Sequence, residues 1–61
     1  MIGKIYQKID NNFGYIIDSE GNLYLFNIND ILDDTELIVG TEVYFKPIED
    51  KILMAGYISK V

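Results

Sequence analysis

Turn-forming residues divide this chain into pieces too short for anything but strands. Asp10-Asn11-Asn12, Ser19-Glu20-Gly21-Asn22, Asp33-Asp34-Thr35-Glu36, Val39-Gly40-Thr41 and Glu49-Asp50-Lys51 punctuate it. Their side chains bond their own backbone, or are absent where glycine relaxes the chain. Between them lie Gly3 to Ile9, Phe13 to Asp18, Leu23 to Ile28, Glu42 to Lys46 and Ile52 to Val61. None carries the apolar stripe of an amphipathic helix, although Asn29-Asp30-Ile31-Leu32 suits a single helical turn. Five short runs with close turns predict an all-β fold, a small five-stranded antiparallel barrel. Closure also removes the free strand edges that invite aggregation. No repeat, linker or low-complexity tract interrupts the chain, so residues 1–61 read as one domain.

Successive side chains of a strand point to opposite faces. In the first run Ile5 is therefore expected inward, with Lys4, Tyr6 and Lys8 outward. In the second, Gly14 and Ile16 suit the inner face, which leaves Phe13 and Tyr15 outside together. A glycine inside a strand marks a bulge, a bend or a close backbone approach. Two rings spaced in this way make a platform on which flat bases stack; the plainer reading is that both rings are core. Leu23 to Ile28 is apolar on both faces, so it is either covered twice or uses one face for binding. Val43 and Phe45 share a face opposite Tyr44 and Lys46, Pro47 suits a strand end or edge, and Gly56 predicts a bend in the last strand.

Composition removes several kinds of chemistry. The chain has no cysteine and no histidine. Disulfides, thiolate zinc sites and nucleophiles activated by histidine are thereby excluded. Adjacent carboxylates such as Asp33-Asp34 and Glu49-Asp50 have nothing nearby to raise one pKa for acid/base work. They read as solvated turns, and the Asp33–Glu36 loop lacks the spaced ligands and glycine of a calcium loop. Neither an enzyme nor a cofactor is expected. The net charge of −5 argues against unselective binding to duplex phosphate. It leaves room for single-strand binding, where stacking carries much of the energy. No run approaches the ~20 apolar residues that span a bilayer. Lys4 is followed by a mixed segment rather than an apolar one, so no signal peptide is read and a cytoplasmic location is expected. At 61 residues, with only about 60% of the unfolded surface buried on folding, the core is thin.

Asn11-Asn12-Phe13-Gly14-Tyr15-Ile16 resembles the first ribonucleoprotein motif of the cold-shock domain, Lys-Gly-Phe-Gly-Phe-Ile. Gly3-Lys4-Ile5 is similar to that family's opening Gly-Lys-Val. Tyr24-Leu25-Phe26-Asn27 falls at its second motif, Val-Phe-Val-His, and Ile28-Asn29-Asp30-Ile31 resembles the segment that follows. Leu37, Gly40, Val43 and Phe45 reproduce Leu-x-x-Gly-x-x-Val-x-Phe, and Ala55-Gly56-Tyr57-Ile58 resembles the closing Ala-x-x-Val. The collinear match implies the family's five-stranded oligonucleotide-binding barrel (OB-fold) and binding of single-stranded RNA or DNA. It carries stacking roles to Phe13 and Tyr15. Leu25 replaces the second motif's aromatic, Asn27 its histidine, and Ile28 another common aromatic position. The family's first-strand tryptophan aligns with Tyr6 counting back from Phe13, or with Gln7 counting forward from Gly3. Tyr6 is favoured because it keeps aromatic character.

The first functional reading is weak, sequence-tolerant binding of single-stranded RNA or DNA. Lys4, Tyr6, Lys8, Phe13, Tyr15, Leu25 and Asn27 would form the face, with bases on the rings and phosphates at the lysines. The alternative is a protein-interaction or homodimerisation module. It would use aliphatic surface at Ile17, Leu23, Leu25 and Ile28, with the acidic balance favouring a basic partner.

Overall fold

Strands form where the sequence alternates. They are β1 (Ile2–Lys8), β2 (Phe13–Ile17), β3 (Leu23–Asn27), β4 (Glu42–Glu49) and β5 (Leu53–Lys60), with a 3₁₀ turn at Ile28–Asp30. This is a computed structural model that describes residues 1–49 and 52–61, Glu49 through its backbone alone. The expected turn at Glu49-Asp50-Lys51, with its carboxylate pair, lies outside the described residues. Among the described residues no helix is long and apolar enough to cross a membrane.

The strands close into a barrel in the order β1-β2-β3-β5-β4. Pairing is antiparallel everywhere except between β3 and β5, which run parallel through Leu25–Met54 and Phe26–Ala55. The parallel seam is a necessity. A closed ring of five strands cannot alternate direction all the way round, so the expected antiparallel barrel must include at least one parallel pair. The chain supplies it through the connection from Ile31 to Thr41, which returns along the end of the barrel. Backbone hydrogen bonds hold this connection, among them Leu32 N to Ile58 O at 2.8 Å, Gly40 N to Ile5 O at 2.8 Å, Ile5 N to Thr41 O at 2.9 Å, and Thr41 N to Ile38 O at 3.0 Å.

Alternation directs one set of side chains into the barrel. Ile5, Ile16, Tyr24, Phe26, Val43, Phe45, Ala55 and Ile58 form the core. The rings of Tyr24 and Phe45 meet at 4.9 Å between centroids, tilted by 56°, a favourable arrangement for aromatic quadrupoles. Ile28, Ile31 and Leu37 pack against this cluster from the connection. Pro47 lies inside β4 opposite Ala55, on a stretch beyond the Ile2–Lys4 pairing with β1. Its missing amide therefore falls on the side of β4 without a registered partner, where proline is tolerated.

Candidate nucleic-acid interface

The turn before β2 fixes the first ring. Asp10 Oδ1 accepts hydrogen bonds from the amides of Asn12 at 2.7 Å and Phe13 at 2.9 Å. The strand then places Gly14 and Ile16 inward and leaves Phe13 and Tyr15 half-buried on the outer face. A Cβ on Gly14 would lie 2.7 Å from Phe26 Cζ and 2.9 Å from the Gln7 carbonyl oxygen, so the backbone here approaches the core as closely as it can.

The partner strand continues the face. Phe13 opposes Asn27, Tyr15 opposes Leu25, and Ile17 opposes Leu23. Tyr24 and Phe26, the aromatic residues of β3, are both buried. The outer surface of β2 and β3 is thus two rings, three aliphatic side chains and one amide. Asn27 Oδ1 accepts the Asn29 amide at 2.9 Å, capping the 3₁₀ turn. Its amide nitrogen is the end that remains to offer a ligand.

On β1 the expected parity breaks. Ile5 opposes Ile16, but Gln7 opposes Tyr15, so Tyr6 is the extra residue of a β-bulge. Tyr6 and Gln7 together stand across from Tyr15, with Tyr6 exposed at the rim. Lys8 falls opposite the inward Gly14 and is displaced from the row of Lys4. By register Gln7, rather than Tyr6, is directly aligned with Tyr15. Lys4 sits between Ile17 on β2 and Glu42 on β4. A carboxylate directly opposite lowers what this lysine offers a phosphate.

Five of the seven expected residues, Lys4, Phe13, Tyr15, Leu25 and Asn27, thus share one continuous outer face. Tyr6 borders it, and Lys8 leaves it. Gln7 and Ile17 join it; Gln7 was signalled by the glycine-based count, and Ile17 by its parity with Phe13 and Tyr15. Of the aliphatic residues of the alternative reading, Ile17, Leu23 and Leu25 lie on this same face. Ile28 does not: the 3₁₀ turn rotates it onto the core.

At the far end of the face a groove of about 290 Å³ opens between Ile2, Lys4, Ile17, Asp18, Ser19 and Glu42. Two carboxylates, Asp18 and Glu42, and one lysine, Lys4, line it. Asp18 is committed to the β2–β3 turn. Its carboxylate accepts the amides of Glu20 and Asn22, both at 2.9 Å, the Asn22 side-chain amide at 3.1 Å, and the hydroxyl of Tyr24 at 3.1 Å. Desolvation pushes its pKa up, but the hydrogen bonds from Asn22, Glu20 and Tyr24 outweigh it and hold the carboxyl below its ordinary value. Among the described residues no group of three or more acidic, histidine or cysteine side chains is placed to hold a metal ion.

No protein-family model and no curated protein sequence matches the chain. A solved cold-shock-domain structure, described as drosophila Unr CSD456, superposes with a TM-score of 0.78 at 23% identity. The match covers 98% of this chain and 26% of that one. The barrel has the cold-shock fold. The outer face of β2 and β3 has Phe13 and Tyr15 as its central rings, with Asn27 and Leu25 across from them.

Proposed function

We propose that the outer face of β1–β3 binds single-stranded RNA or DNA weakly and with little sequence preference. The observation that carries this reading is the joint outward placement of Phe13 and Tyr15, held by Asp10 on one side and by the Gly14–Phe26 contact on the other. Bases stack on the two rings, Leu25 packs beside them, and the Asn27 amide reaches a base edge. Lys4 meets a phosphate, and Tyr6 and Gln7 close the rim. Stacking is tolerant of sequence because every base has a π-face.

The test is an NMR titration of labelled protein with a short oligothymidine and with a mixed RNA oligomer. Shifts should concentrate on Lys4, Tyr6, Gln7, Phe13, Tyr15, Leu25 and Asn27. Phe13→Ala with Tyr15→Ala should weaken affinity at least ~20-fold, since each stacked base contributes ~1–3 kcal/mol. Unchanged affinity in that double variant would remove the site assignment.

One observation favours a second reading. Ile17, Leu23 and Leu25 make an aliphatic strip on the same face, and Glu42 faces Lys4. Such a surface suits a basic protein partner or a second copy of the chain. Light scattering that shows mass rising with concentration, reversed by Leu25→Lys, would support it over the first.

A further inference from the structure

The β4–β5 ribbon carries an aromatic and basic pairing that lies outside the β1–β3 face. Tyr57 has a φ of 53°, a conformation disfavoured for every side chain and open to glycine without strain. The register explains it. Tyr44 opposes Ser59 and Lys46 opposes Gly56, so β5 spends one more residue than β4 over this interval, and Tyr57 takes the bulge geometry. The bulge turns the ring out to 63% exposure, above the 46% of Tyr6 and the 48% of Tyr44. Lys46 Nζ stands over it at 5.7 Å from the ring centroid, within cation–π range. One ring face lies under a cation, and the residue keeps most of its surface exposed.

The pairing adjoins the first face. Phe26 opposes Ala55 across the parallel seam and Ile31 next bridges Ile58, so the 3₁₀ turn between them passes beside Gly56 and Tyr57 without pairing to them. Phe13 opposes Asn27 on the other side. β2 and β5 are two strands apart around the closed barrel, so their backbones lie roughly 10 Å apart and a ligand joining their outer faces must follow the curvature. The chemistry selects the occupant. In a chain of ten acidic residues and five lysines, a lysine held over the most exposed tyrosine suits a ligand both flat and anionic. We propose that a single strand stacked on Phe13 and Tyr15 continues past Asn27 and places a further base on Tyr57, with its phosphate at Lys46. This rests on the nucleic-acid reading of the β1–β3 face.

The test compares oligothymidines about four and about eight nucleotides long, lengths within the site sizes of such barrels. The wild-type chain is measured against Tyr57→Gly, which suits the backbone and preserves the fold, and Lys46→Gln. The expected result is tighter binding of the longer oligomer by wild type. Tyr57→Gly should lose about five-fold or more on the longer oligomer and nothing on the shorter. Lys46→Gln should flatten the salt dependence for the longer oligomer alone. Equal affinities of Tyr57→Gly and wild type on both lengths would overturn the extension and leave the β1–β3 reading standing. Equal losses on both lengths would also overturn it, as would a Tyr57→Gly change in the self-associated mass, which would make the ring a contact between copies. Absence of wild-type binding to either oligomer would remove both readings together.

Discussion

A methyl group on Gly14 would have to displace Phe26, whose Cζ and Cε1 lie 2.7 and 2.8 Å from the Cβ position, or the Gln7 carbonyl on the neighbouring strand. Neither yields easily, because Phe26 is fully buried and the carbonyl is backbone. Gly14→Ala should therefore destabilise the domain by ~1–3 kcal/mol, the range for overpacking, read as a fall in the urea midpoint at unchanged slope. Full stability in that variant would mean the strand has more freedom than the contacts show. Asp10→Ala removes the two side-chain hydrogen bonds to the amides of Asn12 and Phe13 and leaves the backbone bonds of Ile9 and Asp10 to the Phe13 carbonyl. It should cost ~1 kcal/mol, as the loss of a side-chain cap does, and should broaden the Phe13 amide resonance. At this scale the sequence is readable where parity alone decides. Gly14 and Ile16 point inward because a strand alternates, and the outward placement of Phe13 and Tyr15 follows. Parity fails at Tyr6, where a bulge inserts a residue that no local composition marks, and at Tyr57, where the bend expected from Gly56 marks the place but not the extra residue.

Two elements are tied by single carboxylates. Asp18 gathers the β2–β3 turn and the Tyr24 hydroxyl. Asp33 does the same for the Ile31–Thr41 connection, bonding the Thr35 hydroxyl and accepting the Lys60 amide at 2.9 Å from the far end of β5. The Thr35 hydrogen bond, then the Lys60 amide, hold the Asp33 carboxyl below its ordinary value of 3.8 against a smaller desolvation effect. A carboxyl with a depressed folded pKa binds protons more readily when unfolded, so its contribution is complete above the unfolded value and disappears as pH falls through the folded one. Stability should therefore decline from about pH 4 downward. Asp18→Asn and Asp33→Asn should each be less stable than wild type at pH 7, with part of that deficit gone at pH 2, measured by thermal melts across the range. A constant deficit at every pH would show that packing, not ionisation, sets the effect. The turn at Ser19–Asn22 was legible from residue types that favour reversal. The Asp33 tie was not, because Lys60 lies too far along the chain for local reading.

For the molecule as a whole, the five strands and their order of turns were legible, since short alternating runs leave few ways to bury a thin core. The direction of the β3–β5 pair follows from counting strands around a closed ring rather than from any residue. The charge balance also acts at this scale. Among the described residues, Lys4, opposed by Glu42, and Lys46, over Tyr57, are the cations that the proposed single strand would meet. Two neutralised phosphates give a log–log salt slope of about −1.4 for single strands, and Lys4→Gln should reduce it by about 0.7. A slope steeper than about −3 would place the contacts elsewhere. The parallel seam has a kinetic side as well. It joins positions about thirty residues apart and closes late for the loop entropy it removes. Were it and the β1–β4 seam to part, the paired strands β4 and β5 would stay attached through the Ile31–Thr41 connection. Their two edges would then match the β1 and β3 edges of another copy as well as their own. At high concentration and moderate temperature, reciprocal exchange of this pair would give an intertwined dimer with every pairing of the monomer preserved.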